Sequence, residues 1–333
     1  MVDHKAALIA LLRRPMPLSS PRGVLAANAG PVAPLRDAST VVLLRDAPGG
    51  IEAYVVKRVR TMAFAGGVFA FPGGRVDPAD SAVDVRWSGP PVGALMGTLE
   101  PDPELARALV SAAVRETFEE CGVLLAGPAE GAERPLDLTG PGWIADRWAM
   151  ERRELGLGEL LARHELALRA QLLAPWARWI TPEVEPRRYD TRFFMAALPP
   201  GQTPGELSGE ADRMEWIRPA EALERHTAGL MAMLPPTASM LADLLDYATV
   251  ADVLAAAPGR AIAPIMPKIV IADGAVHFLL PHDPEYATAA PPADPASATA
   301  IIAATAAGPG HSAWTHGPND AALTTPSTTP EQV

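Results

Sequence analysis

The chain has 333 residues, 48% of them hydrophobic and 20% charged, with a formal net charge of −11 at pH 7. That length allows one large domain or two ordinary ones, and the acidic balance argues against nucleic acid as a partner, because a phosphate backbone is bound by a basic surface. The one cysteine, Cys121, excludes an internal disulfide and a thiolate zinc cluster and fits a reducing cytoplasm.

Residues 1–37 read as an irregular N-terminal arm. Its apolar run "AALIALLRRP" is too short to span a bilayer and puts its arginines last, the reverse of a secretory signal. A short surface-docked helix is expected there, with no membrane partner. "STVVLLRD" and "IEAYVVKRV" read as strands joined by the turn "APGG", and "VFAFPGG" as a short strand entering a Pro-Gly-Gly turn. Residues 75–101 show no period and read as a loop. A helix then runs from Asp102, a good N-cap, through Pro103 at the first helical position to Gly122 as its stop.

Two more helices are expected within 142–174, "GWIADRWAMERREL" and "LGELLARHELALRAQLL". "ARWITP", "RRYDTRFFMAALP" and "RMEWIRP" are strand-like. A helix over 219–226 follows, then one over "TASMLADLLDYA", then a hairpin around Asp273-Gly274. After Tyr286 the chain has no Lys or Arg and is rich in Ala, Pro, Thr and Ser, so 286–333 is expected to be a disordered tail. Helices interleaved with hairpins favour an α+β fold, a mixed sheet between helical layers.

The sharpest feature is "RETFEECGV", residues 115–123. At 100° per residue, Val110, Val114, Thr117, Phe118 and Cys121 share one side of the helix and form its buried stripe. Glu116, Glu119 and Glu120 fall on the opposite side. Two readings stand for this acidic patch: a solvated helix face, or a divalent-cation site. Like charges at i,i+3 and i,i+4 repel, and the helix C-terminus disfavours anions. A hard cation reverses both penalties, which favours the metal.

The same residues resemble the second half of the Nudix hydrolase signature: Gly, five residues, Glu, seven residues, then Arg-Glu-aliphatic-x-Glu-Glu-x-Gly-aliphatic. Arg115, Glu116, Glu119, Glu120, Gly122 and Val123 match it, Thr117 replaces an aliphatic residue, and "FPGG" at 71–74 resembles its opening. From Gly74 to Arg115 is 41 positions, about 27 more than the signature has. Counted back from Arg115, the first signature glutamate falls on Arg107 and is absent. The long insertion resembles the branch of peroxisomal coenzyme A and acyl-CoA diphosphatases and their bacterial relatives. That branch has an upstream CoA motif, which Arg58 and Gly67 match while Val59 and Ala63 depart from it.

The resemblance implies a Nudix-type α/β/α sandwich over 38–226, with an insertion at 75–101 and a helical insert at 142–174. Residues 227–285 then form C-terminal helices and a hairpin packed on that domain. It implies metal-dependent hydrolysis of a small-molecule diphosphate substrate, CoA or acyl-CoA among the candidates, with Glu116, Glu119 and Glu120 holding Mg²⁺ or Mn²⁺. A non-catalytic Nudix-fold binding or regulatory module is the alternative. Arg115 orients the carboxylates or is a structural partner of one. Gly73 and Gly74 let the backbone approach the helix, or form a plain tight turn. Glu210, with Glu206 as its neighbour alternative, is the candidate further ligand or general base; a solvated loop acid is the plain reading. Arg58, Arg187, Arg188 and Arg192 are candidates for substrate phosphates, against half-exposed strand polarity. Cys121 reads as a small core residue. Nudix relatives are often dimers, so a homodimer is admitted.

Overall fold

The structure, a computed structural model, describes residues 16–17, 32–59, 67–81, 85–97, 99–132, 134–183, 185–205, 209, 211–272, 275–281 and 283–289. The expected helix near the N-terminus and the turn pair Asp273-Gly274 lie outside them, as does the expected disordered tail from residue 290 onward.

In chain order the strands are β1 (Met16–Pro17), β2 (Leu35–Ala47), β3 (Gly50–Arg58), β4 (Phe69–Ala70), β5 (Gly73–Arg75), β6 (Trp87–Ser88), β7 (Ala126–Pro128), β8 (Leu166–Arg169), β9 (Ala174–Ile180), β10 (Arg188–Ala197), β11 (Ala211–Ile217), β12 (Pro264–Ile265), β13 (Lys268–Ala272) and β14 (Ala275–Leu279). The helices are α1 (Val92–Met96), α2 (Pro103–Cys121), α3 (Pro141–Glu151), α4 (Leu157–Arg163), α5 (Pro219–Thr227), α6 (Pro235–Leu244) and α7 (Val250–Ala256).

The main sheet has the order β11-β3-β2-β10-β9-β12, with β4 paired to β3 and β5 to β2. It is mixed: β2 runs parallel to β10, and antiparallel to β3 and β5. Strand alternation splits its side chains between two cores. Val41, Leu43, Tyr54, Val56, Phe194 and Ala196 face α2 and the insert helices. Val42, Leu44, Ile51, Val55, Phe193 and Met195 face residues of α5, α6 and α7. The result is a sheet between helical layers, as the element pattern predicts.

Four local expectations need correction. First, β2 begins at Leu35, and β1, inside the arm, pairs with β14, so the arm is not wholly irregular. Second, residues 75–101 are not a bare loop: they hold β5, a 3₁₀ turn over Pro78–Ser81, β6 and α1. Third, the helix read through 157–173 stops at Arg163. Glu165 takes φ 54°, and Leu166–Arg169 is then a strand, buried at every position, between β6 and β7. An apolar run with neighbours on both edges gains more as a strand than helical propensity gives it. Fourth, the expected tail starts within order: Thr288 and Ala289 hydrogen-bond back to the Glu285 carbonyl.

The small sheet β6-β8-β7 joins the two insertions. Trp87 pairs with Leu168, and the buried Arg169 donates to Ser88 Oγ and to the Pro128 carbonyl.

Candidate active site

The glutamates are carried by α2, a 19-residue helix. The Asp102 carboxylate caps its start by accepting from Glu104 N at 2.9 Å. At its end Gly122 takes φ 71° and donates to the Phe118 carbonyl, a left-handed stop that suits glycine. Val110, Val114, Thr117, Phe118 and Cys121 are all buried, as the helical period requires. Thr117 fits there because its hydroxyl donates to the Ala113 carbonyl. Burial pushes the Cys121 thiol up to about 12, so this cysteine is an inert core residue.

The opposite side of the helix is not solvated. The Glu116, Glu119 and Glu120 side chains are only 14%, 15% and 10% exposed. They lie under the turn that β5 forms beside β2. Gly73 N donates to Glu120 Oε2 at 3.1 Å. A Cβ at Gly74 would lie 2.5 Å from the Glu116 carboxylate, so this backbone approaches closer than any side chain would allow. Gly67 N donates to the Arg58 carbonyl, and the Arg58 guanidinium stands 3.9 Å from Glu120.

Arg115 organises the cluster. Its Nη1 donates to Glu116 at 2.7 Å and to Glu119 at 3.3 Å. Its Nε and Nη2 form a fork on the two oxygens of Asp80, each at 2.8 Å. Asp80 itself is 2% exposed. Burial opposes the Arg115 charge, but Asp80, Glu116 and Glu119 hold its pKa well above the usual arginine value.

Asp80 is the residue that counting back from Arg115 misses. Counted forward, Gly74 plus five residues reaches Asp80, the place of the first signature glutamate. The insertion therefore lies after this position, and an acid is present there. Arg107, where the backward count lands, is elsewhere: it donates to the Val85 carbonyl and lies over the Trp87 ring. The signal was in the sequence, at the other end of the gap.

Other candidates separate from the cluster. Arg188 is buried and donates to the Thr181 and Ala33 carbonyls. Arg192, 1% exposed, is held by Asp37, Asp190 and Glu100. Neither is half-exposed strand polarity. Glu100 precedes the N-cap of α2, so Arg192 lies about 25 Å of helix from the glutamates at the other end. Arg187 is exposed. Glu206 and Glu210 lie outside the described residues.

Four carboxylates, Asp80, Glu116, Glu119 and Glu120, and two guanidiniums, Arg58 and Arg115, thus meet among the described residues. Burial first, and the Glu116 charge second, push Glu119 up to about 8, against the pull of Arg115. Among the described residues no group of three or more His, Cys, Asp or Glu side chains is already disposed as a metal cage. The cluster still fits a hard divalent cation in donor type, all carboxylate oxygen. No described helix is long and apolar enough to cross a membrane.

Comparison with known proteins places these features in a family context. The NUDT19 Nudix domain family matches residues 100–244, a span that contains α2. Acyl-coenzyme A diphosphatase NUDT19 of Homo sapiens is 30% identical over 284 residues, covering 71% of this chain and 72% of that protein. The Gallus gallus protein of the same name is 27% identical over 316 residues, covering 75% and 81%. A Nudix hydrolase structure from Alicyclobacillus acidocaldarius is 30% identical, with a TM-score of 0.53, and covers 67% of this chain and 96% of that one.

Proposed function

The chain belongs to the Nudix hydrolase family, in its NUDT19 acyl-CoA diphosphatase group, and from that premise we propose that it hydrolyses the diphosphate of CoA or acyl-CoA. The observation that carries the substrate reading is the meeting of two motifs. Of the two residues that match the CoA motif, Gly67 donates to the Arg58 carbonyl, and the Arg58 guanidinium stands 3.9 Å from Glu120 of the signature.

Nudix hydrolases typically depend on a divalent metal. In this reading Glu116, Glu119 and Glu120 hold Mg²⁺ or Mn²⁺. The ion supplies charge neutralisation at the diphosphate and a lower pKa for the attacking water. Arg115, gripped by Asp80, fixes where the Glu116 and Glu119 oxygens point. The Gly73-Gly74 backbone packs directly on the Glu116 and Glu120 carboxylates and helps fix them. Arg58 offers positive charge to a phosphate, and Glu210 is the proposed proton acceptor. Arg188 and Arg192 have no part in this reading: Arg188 donates to the Thr181 and Ala33 carbonyls, and Arg192 is held by Asp37, Asp190 and Glu100. Water attacks one phosphorus in line, the bridging P–O bond breaks, and the products are phosphopantetheine, acylated if the substrate was, and adenosine 3′,5′-bisphosphate. A reducing compartment, the cytoplasm, suits the one buried cysteine.

The test is product chromatography with Mg²⁺ or Mn²⁺ and a panel of CoA, acyl-CoA, ADP-ribose, NADH and nucleotides. CoA or its esters should be split to the two products named. Turnover confined to ADP-ribose, NADH or nucleotides would overturn the substrate reading.

A further inference from the structure

The C-terminal carbonyls of α2 raise a separate question. A helix leaves its last four C=O groups without intrahelical partners, and they form the negative end of its dipole. Here that end carries Glu116, Glu119 and Glu120, and the last turn contains no basic residue of its own. All four carbonyls nevertheless have donors. Phe118 O accepts from Gly122 N and Cys121 O from Gly205 N. The two between them, Glu119 O and Glu120 O, accept from Arg147 Nε at 3.0 Å and Nη2 at 2.9 Å.

Arg147 comes from α3, in the helical insert, and is 7% exposed. Space for it is built in. A Cβ at Gly205 would lie 2.9 Å from Arg147 Nη1, and one at Gly122 3.4 Å from it. One turn earlier on the same helix, Trp143 packs edge-on against Phe118 of α2, so the insert grips both the side and the end of the glutamate helix.

We propose that Arg147 is a positioning residue of the hydrolase: it sets the backbone of Glu119 and Glu120, and its charge offsets the helix dipole beneath the carboxylates. Toward the glutamates its hydrogen bonds among the described residues go to the Glu119 and Glu120 carbonyls, and it acts through those two peptide groups. The two hydrogen bonds hold the peptide groups from which the Glu119 and Glu120 side chains extend, so the inserted helix tunes the affinity of the site for its cation. This inference rests on the proposed metal-binding reading of the glutamates.

The test is Mn²⁺ binding to the full chain, measured by electron paramagnetic resonance of free Mn²⁺, together with kcat on CoA. Arg147→Met keeps the bulk and removes the charge. Arg147→Lys keeps the charge with fewer donors. Arg163→Ala is the control on the same insert, since Arg163 is half-exposed and pairs with Asp146 and Glu159. Arg147→Met is expected to weaken Mn²⁺ binding by about 10- to 100-fold and to lower kcat, the usual effect of losing a group that orients metal ligands. Arg147→Lys should fall between Met and wild type, and Arg163→Ala should bind Mn²⁺ as wild type does even if it melts earlier. Wild-type Mn²⁺ affinity and kcat in a folded Arg147→Met protein would overturn the inference and leave the function reading intact. A wild-type protein that binds no Mn²⁺ would overturn the metal reading and this inference with it.

Discussion

Asp80 lies 35 residues before Arg115 in the chain and grips it with both oxygens. Removing one partner of a buried charge pair leaves the other uncompensated, so Asp80→Ala should destabilise the protein by about 3 kcal/mol in urea unfolding; a change within error would show that Glu116 and Glu119 suffice to hold Arg115. Gly74→Ala tests the close approach. The added methyl would meet the flexible end of Glu116, not backbone, so melting should change little while kcat falls about 10- to 100-fold as the carboxylate is displaced. A third residue gives a pH signature. Glu185 is buried, its Oε1 has no hydrogen-bond partner among the described residues, and burial raises its pKa from 4.5 to about 7. The fold therefore favours its protonated form: its contribution is full below 4.5 and is lost as pH rises through 7. Glu185→Gln should melt higher than wild type at pH 8 and match it near pH 4; a gain of equal size at both pH values would contradict this cause.

At the scale of elements, α2 was readable from both its ends. Asp102, Pro103 and Gly122 marked its limits, and the buried stripe followed from period alone. Asp102→Ala should cost about 1 kcal/mol in chemical denaturation through loss of the cap, with no change in the chemistry at the other end. The insertions were the poorly legible elements. "HELALRAQLL" has the composition of a helix, and what makes Leu166–Arg169 a strand is the partner on each edge, β6 from the first insertion and β7 from the segment that follows α2. Such information is tertiary and absent from a local window. The same holds for Arg192: alternation placed it correctly on a strand, but only the fold brings Asp37, Asp190 and Glu100 around it.

Across the whole molecule, the two insertions meet in one small sheet and both reach α2. The 3₁₀ turn that leads into the first supplies Asp80 to Arg115, and the second supplies Arg147 to the helix end. Asp80 is within reach of the signature counted forward from Gly74, but Arg147 is not, because it meets Glu119 from 28 residues away and belongs to no motif. The glutamates themselves were legible, since their crowding at a helix C-terminus is unfavourable unless something positive answers it. Of the two readings the sequence left open, their burial beneath Gly73 and Gly74 excludes the solvated face, and the site is the reading proposed above. The central claim is that these carboxylates run diphosphate hydrolysis, and it is tested most directly by the rate of CoA cleavage in Mg²⁺ by Glu119→Gln beside wild type. The account predicts a loss of about 100-fold or more with unchanged circular dichroism; a folded Glu119→Gln protein that cleaves CoA at the wild-type rate would contradict it.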